Sequence, residues 1–171
     1  MMRIALLTSL LTLLGCSSHP IIKTVNQVDL PRFMGDWYVI ANIPTFIETG
    51  AHHAVESYRM NDDGTIATTF RYRADSFDGE LKEYHPKGFI EDNSNAIWGM
   101  QFIWPFKAEY RIVYLNRDYT QTIIGRSARD YVWLMARTPS ISEQDYQHLL
   151  NVIKELGYDI SKVQKVPQKW H

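Results

Sequence analysis

The sequence predicts an all-β protein, an eight-stranded up-and-down antiparallel barrel with one C-terminal α-helix packed on its outside. Eight short segments rich in aromatic and branched residues follow one another, with turn sequences and no helical pattern between them. After them, the spacing of apolar residues changes to that of an amphipathic helix. Eight strands enclose an interior that side chains fill or that holds one small ligand.

The barrel is predicted to begin at Gly35-Asp36-Trp37-Tyr38. Residues 29–34, which start with an aspartate and contain a proline, predict one helical turn before it. Glycine allows a sharp turn at this junction, so Trp37 can lie across one end of the barrel. The eight predicted strands are residues 37–43, 54–60, 65–74, 81–91, 96–102, 108–115, 121–127 and 131–137.

The segments between and after the strands complete the prediction. Residues 44–53 form a loop long enough to cross the mouth of a barrel, and Pro86 indicates an edge or a bulge in the fourth strand. Ser142 suits a helix N-cap and Gly157 a C′ position, and residues 163–166 are expected to add a short last strand. The apolar face of the helix consists of Tyr146, Leu149, Leu150, Ile153 and Leu156.

Length and composition limit the class of protein. The chain has 171 residues, which suits one domain with a sizeable core. The formal net charge is −1 and the basic residues are scattered, so no nucleic-acid partner is expected. The single cysteine excludes an intrachain disulfide.

The first 27 residues are predicted to direct the protein to a membrane. Residues 4–14 form an apolar run behind Arg3, shorter than the ~20 residues that span a bilayer and typical of a signal peptide. The run ends at Cys16, and residues 17–27 are mostly polar. We therefore expect a signal peptide over residues 1–15, a lipidated flexible tether excluded from the fold over 16–27, and the barrel domain over 28–171.

Leu13-Leu14-Gly15-Cys16 resembles the bacterial lipobox, in which a small residue precedes a cysteine that receives a diacylglyceryl thioether. The resemblance implies lipidation of Cys16, which becomes the mature N-terminus. Ser17 follows it where an aspartate would favour the inner membrane, so the resemblance implies the outer membrane. Acyl chains at this residue would hold the protein firmly, because two lipid signals suffice for stable anchoring.

Three motifs resemble those of the lipocalin family, and closely those of the bacterial outer-membrane lipoprotein lipocalins. They are Gly35-Asp36-Trp37-Tyr38, Asn116-Arg117-Asp118-Tyr119 and Trp133-Leu134-Met135-Ala136-Arg137-Thr138. In the second motif, Arg117 stands where the family prefers threonine. The similarity covers residues 28–158. It implies a closed end formed by Gly35, Trp37 and Arg137, in which the arginine packs on the tryptophan as a cation–π contact.

The resemblance also implies an apolar small-molecule ligand inside the barrel. Side-chain alternation along the strands then indicates which residues face it. Glu56 shares a face with Tyr58, but an inward carboxylate needs a partner or a shifted pKa, so we expect it at the rim or turned outward. The predicted ligand-binding residues are Tyr58, Phe70, Tyr72, Trp98, Met100, Phe102, Tyr110, Ile112, Tyr114 and Trp133.

This aromatic and aliphatic wall requires a mostly apolar ligand, and an acyl chain fits a deep, narrow cavity. The expected function is to hold or transport fatty acids, lysophospholipids or similar apolar ligands at the outer membrane, with the barrel facing the periplasm. The alternative is a structural or partner-binding envelope lipoprotein with a filled barrel.

Other classes of protein are less well supported. No arrangement of a nucleophile with a base indicates an enzyme, and no cofactor is expected. The adjacent His52 and His53 point to opposite sides and make a poor metal pair. A membrane-spanning barrel is disfavoured because charged residues occupy both faces of the strands. The apolar segment 103–106 could form a membrane contact, a homodimer surface or a lid.

Overall fold

The computed structural model describes residues 19–170. The helix α1 (Leu30–Phe33) precedes the strands, and α2 (Glu143–Glu155) and a 3-10 turn (Ile160–Lys162) follow the barrel. The strands are β1 (Gly35–Ile43), β2 (Ala51–Met60), β3 (Ile66–Ala74), β4 (Leu81–Tyr84), β5 (Lys87–Ile90), β6 (Ile97–Ile103), β7 (Phe106–Leu115), β8 (Gln121–Gly125), β9 (Val132–Ala136) and β10 (Gln164–Lys165).

The strands form one closed antiparallel barrel. From β1 to β3 and from β5 to β9, consecutive strands pair with each other, β9 pairs back with β1 to close the sheet, and the short β10 pairs with β1. The strands β4 and β5 both pair with β3 and share one position in the barrel, so the barrel has eight strand positions. The predicted fold class is confirmed.

The fourth strand position is interrupted at Pro86, as the sequence indicates. Proline has no N–H to donate to a sheet; here its carbonyl accepts from the Thr68 N–H at 3.2 Å. Among the described strands, β4 pairs only with β3, whereas β5 also pairs with β6. Backbone hydrogen bonds therefore do not join β4 to the last residues of β6.

Two apolar clusters lie on the two sides of the sheet. The inner cluster fills the lower barrel around Phe33, Trp37 and Trp98. The outer cluster packs Leu149 and Ile153 of α2 against the barrel. This helix starts as predicted, because the Ser142 hydroxyl accepts from the Asp145 N–H at 3.0 Å, and Gly157 follows its end with φ +92°.

The loops divide between two ends of the barrel. The closed end carries α1 and the connections 61–65, 91–96 and 116–120. The open end carries the connections 44–50, 75–80, 104–105 and 126–131. No helix within residues 19–170 is long and apolar enough to cross a bilayer.

Residues 20–28 run along the outside of the barrel from the open end to the closed end. The Pro20 carbonyl accepts from Arg129 Nη1 at 2.8 Å, Ile22 is buried in the outer cluster, and the Val25 N–H donates to the Ile112 carbonyl at 3.0 Å. For residues 20–27 the structure contradicts the predicted flexible tether. Isolated apolar residues in a polar stretch dock here because the sheet offers them an apolar outer face.

Two predictions fall on residues that precede this segment. The signal peptide over residues 1–15 and the lipidation of Cys16 lie outside the described residues.

Candidate ligand-binding cavity

The closed end is held by Arg137. Its guanidinium carbon lies 3.8 Å from the centre of the Trp37 ring, which is the stack that the motifs imply. The same guanidinium donates from Nη1 to the Asp36 carbonyl at 2.7 Å and from Nη2 to the Met34 carbonyl at 2.8 Å. One side chain thus ties α1 and the start of β1 across the end of the barrel.

Gly35 makes this arrangement possible. Its φ is +94°, in the left-handed region that favours glycine. A Cβ at this position would lie 3.5 Å from Arg137 Nη1, an ordinary contact distance, so the backbone conformation rather than lack of space favours glycine. Trp37 is fully buried, and its Nε1 donates to the Phe33 carbonyl at 2.8 Å.

Packed aromatic rings form a floor above the closed end. The rings of Trp98 and Tyr110 stack with centres 4.9 Å apart, and Phe33 lies edge-on to Trp98 at 5.6 Å. The hydroxyl groups of Tyr58 and Tyr110 lie 2.7 Å apart. The barrel is therefore filled next to its closed end, and the cavity lies above these rings.

A cavity of about 550 Å³ lies between this floor and the open end. Its volume is in the range typical of small-molecule sites. Most of its wall is apolar. The wall consists of Thr45, Phe46, Ile47, Glu48, Glu56, Phe70, Tyr84, Pro86, Met100, Phe102, Ile103, Ala108, Glu109, Tyr110, Arg126 and Trp133.

Half of the ten predicted ligand-binding residues lie on this wall: Phe70, Met100, Phe102, Tyr110 and Trp133. Four others are buried in the inner cluster without lining the cavity, and these are Tyr58, Tyr72, Trp98 and Ile112. Alternation identifies inward-facing residues, but it does not distinguish those at the height of the floor from those at the height of the cavity.

The predicted inward orientation of Tyr114 is wrong. Its side chain packs with the outer cluster, and its ring centre lies 6.3 Å from that of His148 on α2. The pairing of β7 with β8 shifts by one residue between Ile112 and Tyr114. Such a bulge reverses the alternation beyond it, so a residue two positions after an inward one faces outward here.

Glu56 also departs from its expectation, because its carboxyl points into the cavity rather than to the rim or outward. Burial raises its pKa to about 7, and the hydrogen bond from the Tyr58 hydroxyl opposes this rise. Glu56 is partly exposed, and its exposed surface faces the cavity. The hydrogen-bond partner that stabilises the carboxyl in this position is Tyr58, two residues away on the same face of the strand.

Glu48 is a second wall acid, and the sequence did not indicate it. The connection 44–50 folds into the mouth and buries this side chain to 5 % exposure. Its carboxylate accepts from Trp133 Nε1 at 3.0 Å and from the Thr45 N–H at 3.1 Å. Burial raises the pKa of Glu48 above its usual value, and these hydrogen bonds oppose the rise. The sequence alone does not indicate that an acidic residue in a predicted loop is buried.

Arg126 is the basic residue of the wall, at the open end after β8. Its Nη1 lies 3.2 Å from the Asp130 carboxylate. Its Nε is buried and makes no hydrogen bond within residues 19–170. The cavity thus has acids on its wall and one cation beside its mouth. Within the same residues, no group of three or more His, Cys, Asp or Glu side chains could hold a metal ion.

Known proteins resemble this chain over nearly its whole length. The model of the lipocalin-like domain matches residues 28–168. The outer membrane lipoprotein Blc of Citrobacter freundii is 29 % identical over 168 residues, covering 96 % of this chain and 95 % of the relative. The temperature-induced lipocalin-1 of Arabidopsis thaliana is 31 % identical over 153 residues, covering 85 % and 82 %.

Solved structures share the fold at low sequence identity. Insecticyanin from the tobacco hornworm Manduca sexta superposes with a TM-score of 0.67 at 15 % identity, covering 90 % of this chain and 86 % of that one. Lobster apocrustacyanin A1 gives a TM-score of 0.64 at 13 % identity, covering 91 % and 94 %. With its closed barrel, the arginine–tryptophan closure and the match to the domain model, this chain belongs to the lipocalin family.

Proposed function

We propose that the protein is an outer-membrane lipoprotein that holds or transports a single-chain lipid, such as a fatty acid or a lysophospholipid, in the barrel cavity. The observation that carries the proposal is the apolar cavity of about 550 Å³ between the aromatic floor and the open end. A mostly apolar space of this volume is complementary to one acyl chain.

The charges favour entry of the acyl chain first. Glu56 lies on the wall, where an anionic head group would meet a carboxyl in a low-dielectric space. Arg126 lines the cavity at its open end and is the basic residue of the wall. A carboxylate or phosphate beside this guanidinium would gain a charge-assisted hydrogen bond. The head group would then lie at the mouth and the chain would run toward the floor.

The proposed location is supported by relatives and by the N-terminal sequence. The relatives from Citrobacter freundii and Escherichia coli are named outer membrane lipoproteins. Acylation of Cys16 would attach this chain in the same way, with the barrel in the periplasm. We infer a binding protein rather than an enzyme, an inference supported by the match to the lipocalin-like domain and by relatives that are named as lipoproteins and lipocalins.

The cavity does not favour the alternative of a structural lipoprotein with a filled barrel. Side chains fill the barrel only to the height of Tyr58 and Tyr110. A partner-binding protein with an unused cavity would release no lipid on extraction and would take up none.

Phe102 and Phe106 provide a matched test of the cavity. Both are exposed phenylalanines near the open end, but Phe102 lines the cavity and Phe106 does not. We expect Phe102→Ala to weaken palmitate binding about tenfold through lost apolar contact, and Phe106→Ala to leave it unchanged. Native mass spectrometry and titration with a fluorescent fatty acid measure both variants. A protein that copurifies with no acyl lipid and binds none when it is added would refute the proposal.

A further inference from the structure

We infer that the open end of the barrel docks directly on a phospholipid bilayer through an apolar rim, defined as Phe46, Phe102, Ile103, Trp104 and Phe106. The inference rests on the proposed acylation of Cys16 and extends the proposed function, because it states which end of the barrel meets the membrane and from where the ligand enters.

Exposed apolar side chains are concentrated at this end. Phe46, Trp104 and Phe106 are 89 %, 81 % and 76 % exposed. The apolar rim, with Ile21 and Leu81, accounts for seven of the nine large hydrophobic side chains that are exposed within residues 19–170. Clustered exposure of this kind marks a contact surface, and aromatic side chains are favoured where lipid meets water.

The N-terminal segment brings the proposed anchor to the same end. Arg129 holds the Pro20 carbonyl, and the Ser127 hydroxyl accepts from the Ile22 N–H at 3.3 Å. Both partners belong to the open-end connection 126–131. Four residues, the separation of Cys16 from Pro20, span at most about 14 Å. A ten-residue barrel strand extends about 25 Å along the barrel axis, so an acylated Cys16 would hold the open end, rather than the closed end, near the bilayer.

The rim is continuous with the cavity. Phe46, Phe102 and Ile103 belong to both the rim and the cavity wall. Near them, backbone hydrogen bonds do not join β4 to the end of β6. An acyl chain leaving a docked bilayer could therefore enter the cavity along apolar side chains without crossing water.

A bilayer fits this surface better than a lid or a second copy. The turn between β6 and β7 is uncharged, and no acidic residue lies between Met100 and Ala108. An uncharged surface of exposed aromatic and aliphatic side chains suits the region where lipid meets water. The proposed anchor would also keep the bilayer permanently within reach of the rim of each single molecule.

Fluorescence quenching in the complete lipoprotein tests the docking. Acylated protein, with its modification verified by mass spectrometry, is reconstituted in vesicles of phosphatidylethanolamine and phosphatidylglycerol. The difference in fluorescence between this protein and its Trp104→Phe variant isolates Trp104. Docking predicts that phospholipids brominated on their acyl chains quench this difference signal and that aqueous iodide does not. The same difference measured with the Trp170→Phe variant is the control, because Trp170 is an exposed tryptophan near the C-terminus of the chain and is not part of the rim. Saturation with palmitate keeps brominated chains out of the cavity.

Three other results would overturn the docking. Quenching of Trp104 by iodide, without quenching by the brominated phospholipids, would mean that the rim is exposed to water and not docked. Protection from both quenchers, with a dimer detected by cross-linking, would mean that a second copy covers the rim. The same protection in a monomer would mean that the rim is covered by the protein itself.

A transfer assay separates this inference from the proposed function. We expect the double variant Trp104→Ser/Phe106→Ser to take up a fluorescent fatty acid from vesicles at least about tenfold more slowly. Neither residue lines the cavity, so affinity for the same probe added as monomers should be unchanged. Equal uptake from vesicles by both proteins would overturn the inference. Failure of the unmodified protein to bind monomeric probe would instead refute the proposed function, and the quenching result would still decide the docking.

Discussion

Glu56 carries its carboxyl into the cavity, where the Tyr58 hydroxyl donates to it. Its pKa of about 7 lies above the ordinary value of 4.5, because burial penalises the charged form. The folded protein therefore binds a proton at this site that the unfolded chain releases as the pH rises. The corresponding stability is fully present below pH 4.5 and is lost as the pH rises through 7.

Replacing Glu56 by Gln should remove this pH dependence. The quantity to compare is the free energy of unfolding of Glu56→Gln minus that of the unmodified protein. This difference should be larger at about pH 8 than at about pH 5 by about 2 to 3 kcal/mol. Urea denaturation at both pH values measures it. The control is Glu155→Gln on the exposed side of α2. A difference that does not change with pH would mean that Glu56 has no raised pKa in the folded protein.

Arg126 should determine selectivity for the head group. If its guanidinium meets the anionic head of the ligand, Arg126→Gln should weaken palmitate binding about tenfold through loss of a charge-assisted hydrogen bond. The binding of a fatty alcohol of the same length should change little. Competition titrations with the two ligands compare these affinities. Equal losses for both would show that Arg126 acts through packing and that the head group lies elsewhere.

At the scale of elements, the N-terminal segment belongs to the fold. Ile22 is 2 % exposed, whereas its neighbour Ile21 is 73 % exposed, so the two residues form a matched pair. Ile22→Ala should lower the free energy of unfolding by about 2 to 4 kcal/mol, through lost burial and the cavity that remains. Ile21→Ala should lower it by less than about 0.5 kcal/mol. Denaturant unfolding monitored by tryptophan fluorescence distinguishes them. Similar small losses would indicate that the segment detaches readily in solution.

Bulges and breaks in the strands decide which side chains reach the cavity. The register shift before Tyr114 moves this ring to the outer cluster beside α2. The interruption at Pro86 leaves β4 bonded to β3 alone within the described residues. In this protein, irregular positions in the strands shape the ligand site as much as the regular alternation does.

Considered as a whole, the molecule has two ends with different roles. At the closed end, Arg137, Trp37 and α1 are linked by a cation–π contact and several hydrogen bonds. At the open end lie the cavity mouth, the apolar rim and the point where the N-terminal segment joins the barrel. The proposed docking of the open end on a bilayer therefore depends both on the exposed residues of the rim and on the path of the N-terminal segment, which starts at this end.

The sequence by itself determined the barrel and the outer helix, and its resemblance to lipocalin motifs implied the closed end. These depend on local signals: strand alternation, turn residues, the Ser142 cap, and glycine, tryptophan and arginine in recognisable motifs. Only the tertiary structure decided the height of the floor, the outward position of Tyr114, the burial of Glu48 and Glu56, and the docking of Ile22. Each of these depends on contacts between segments distant in sequence or on a one-residue register shift, which alternation within a single strand does not encode.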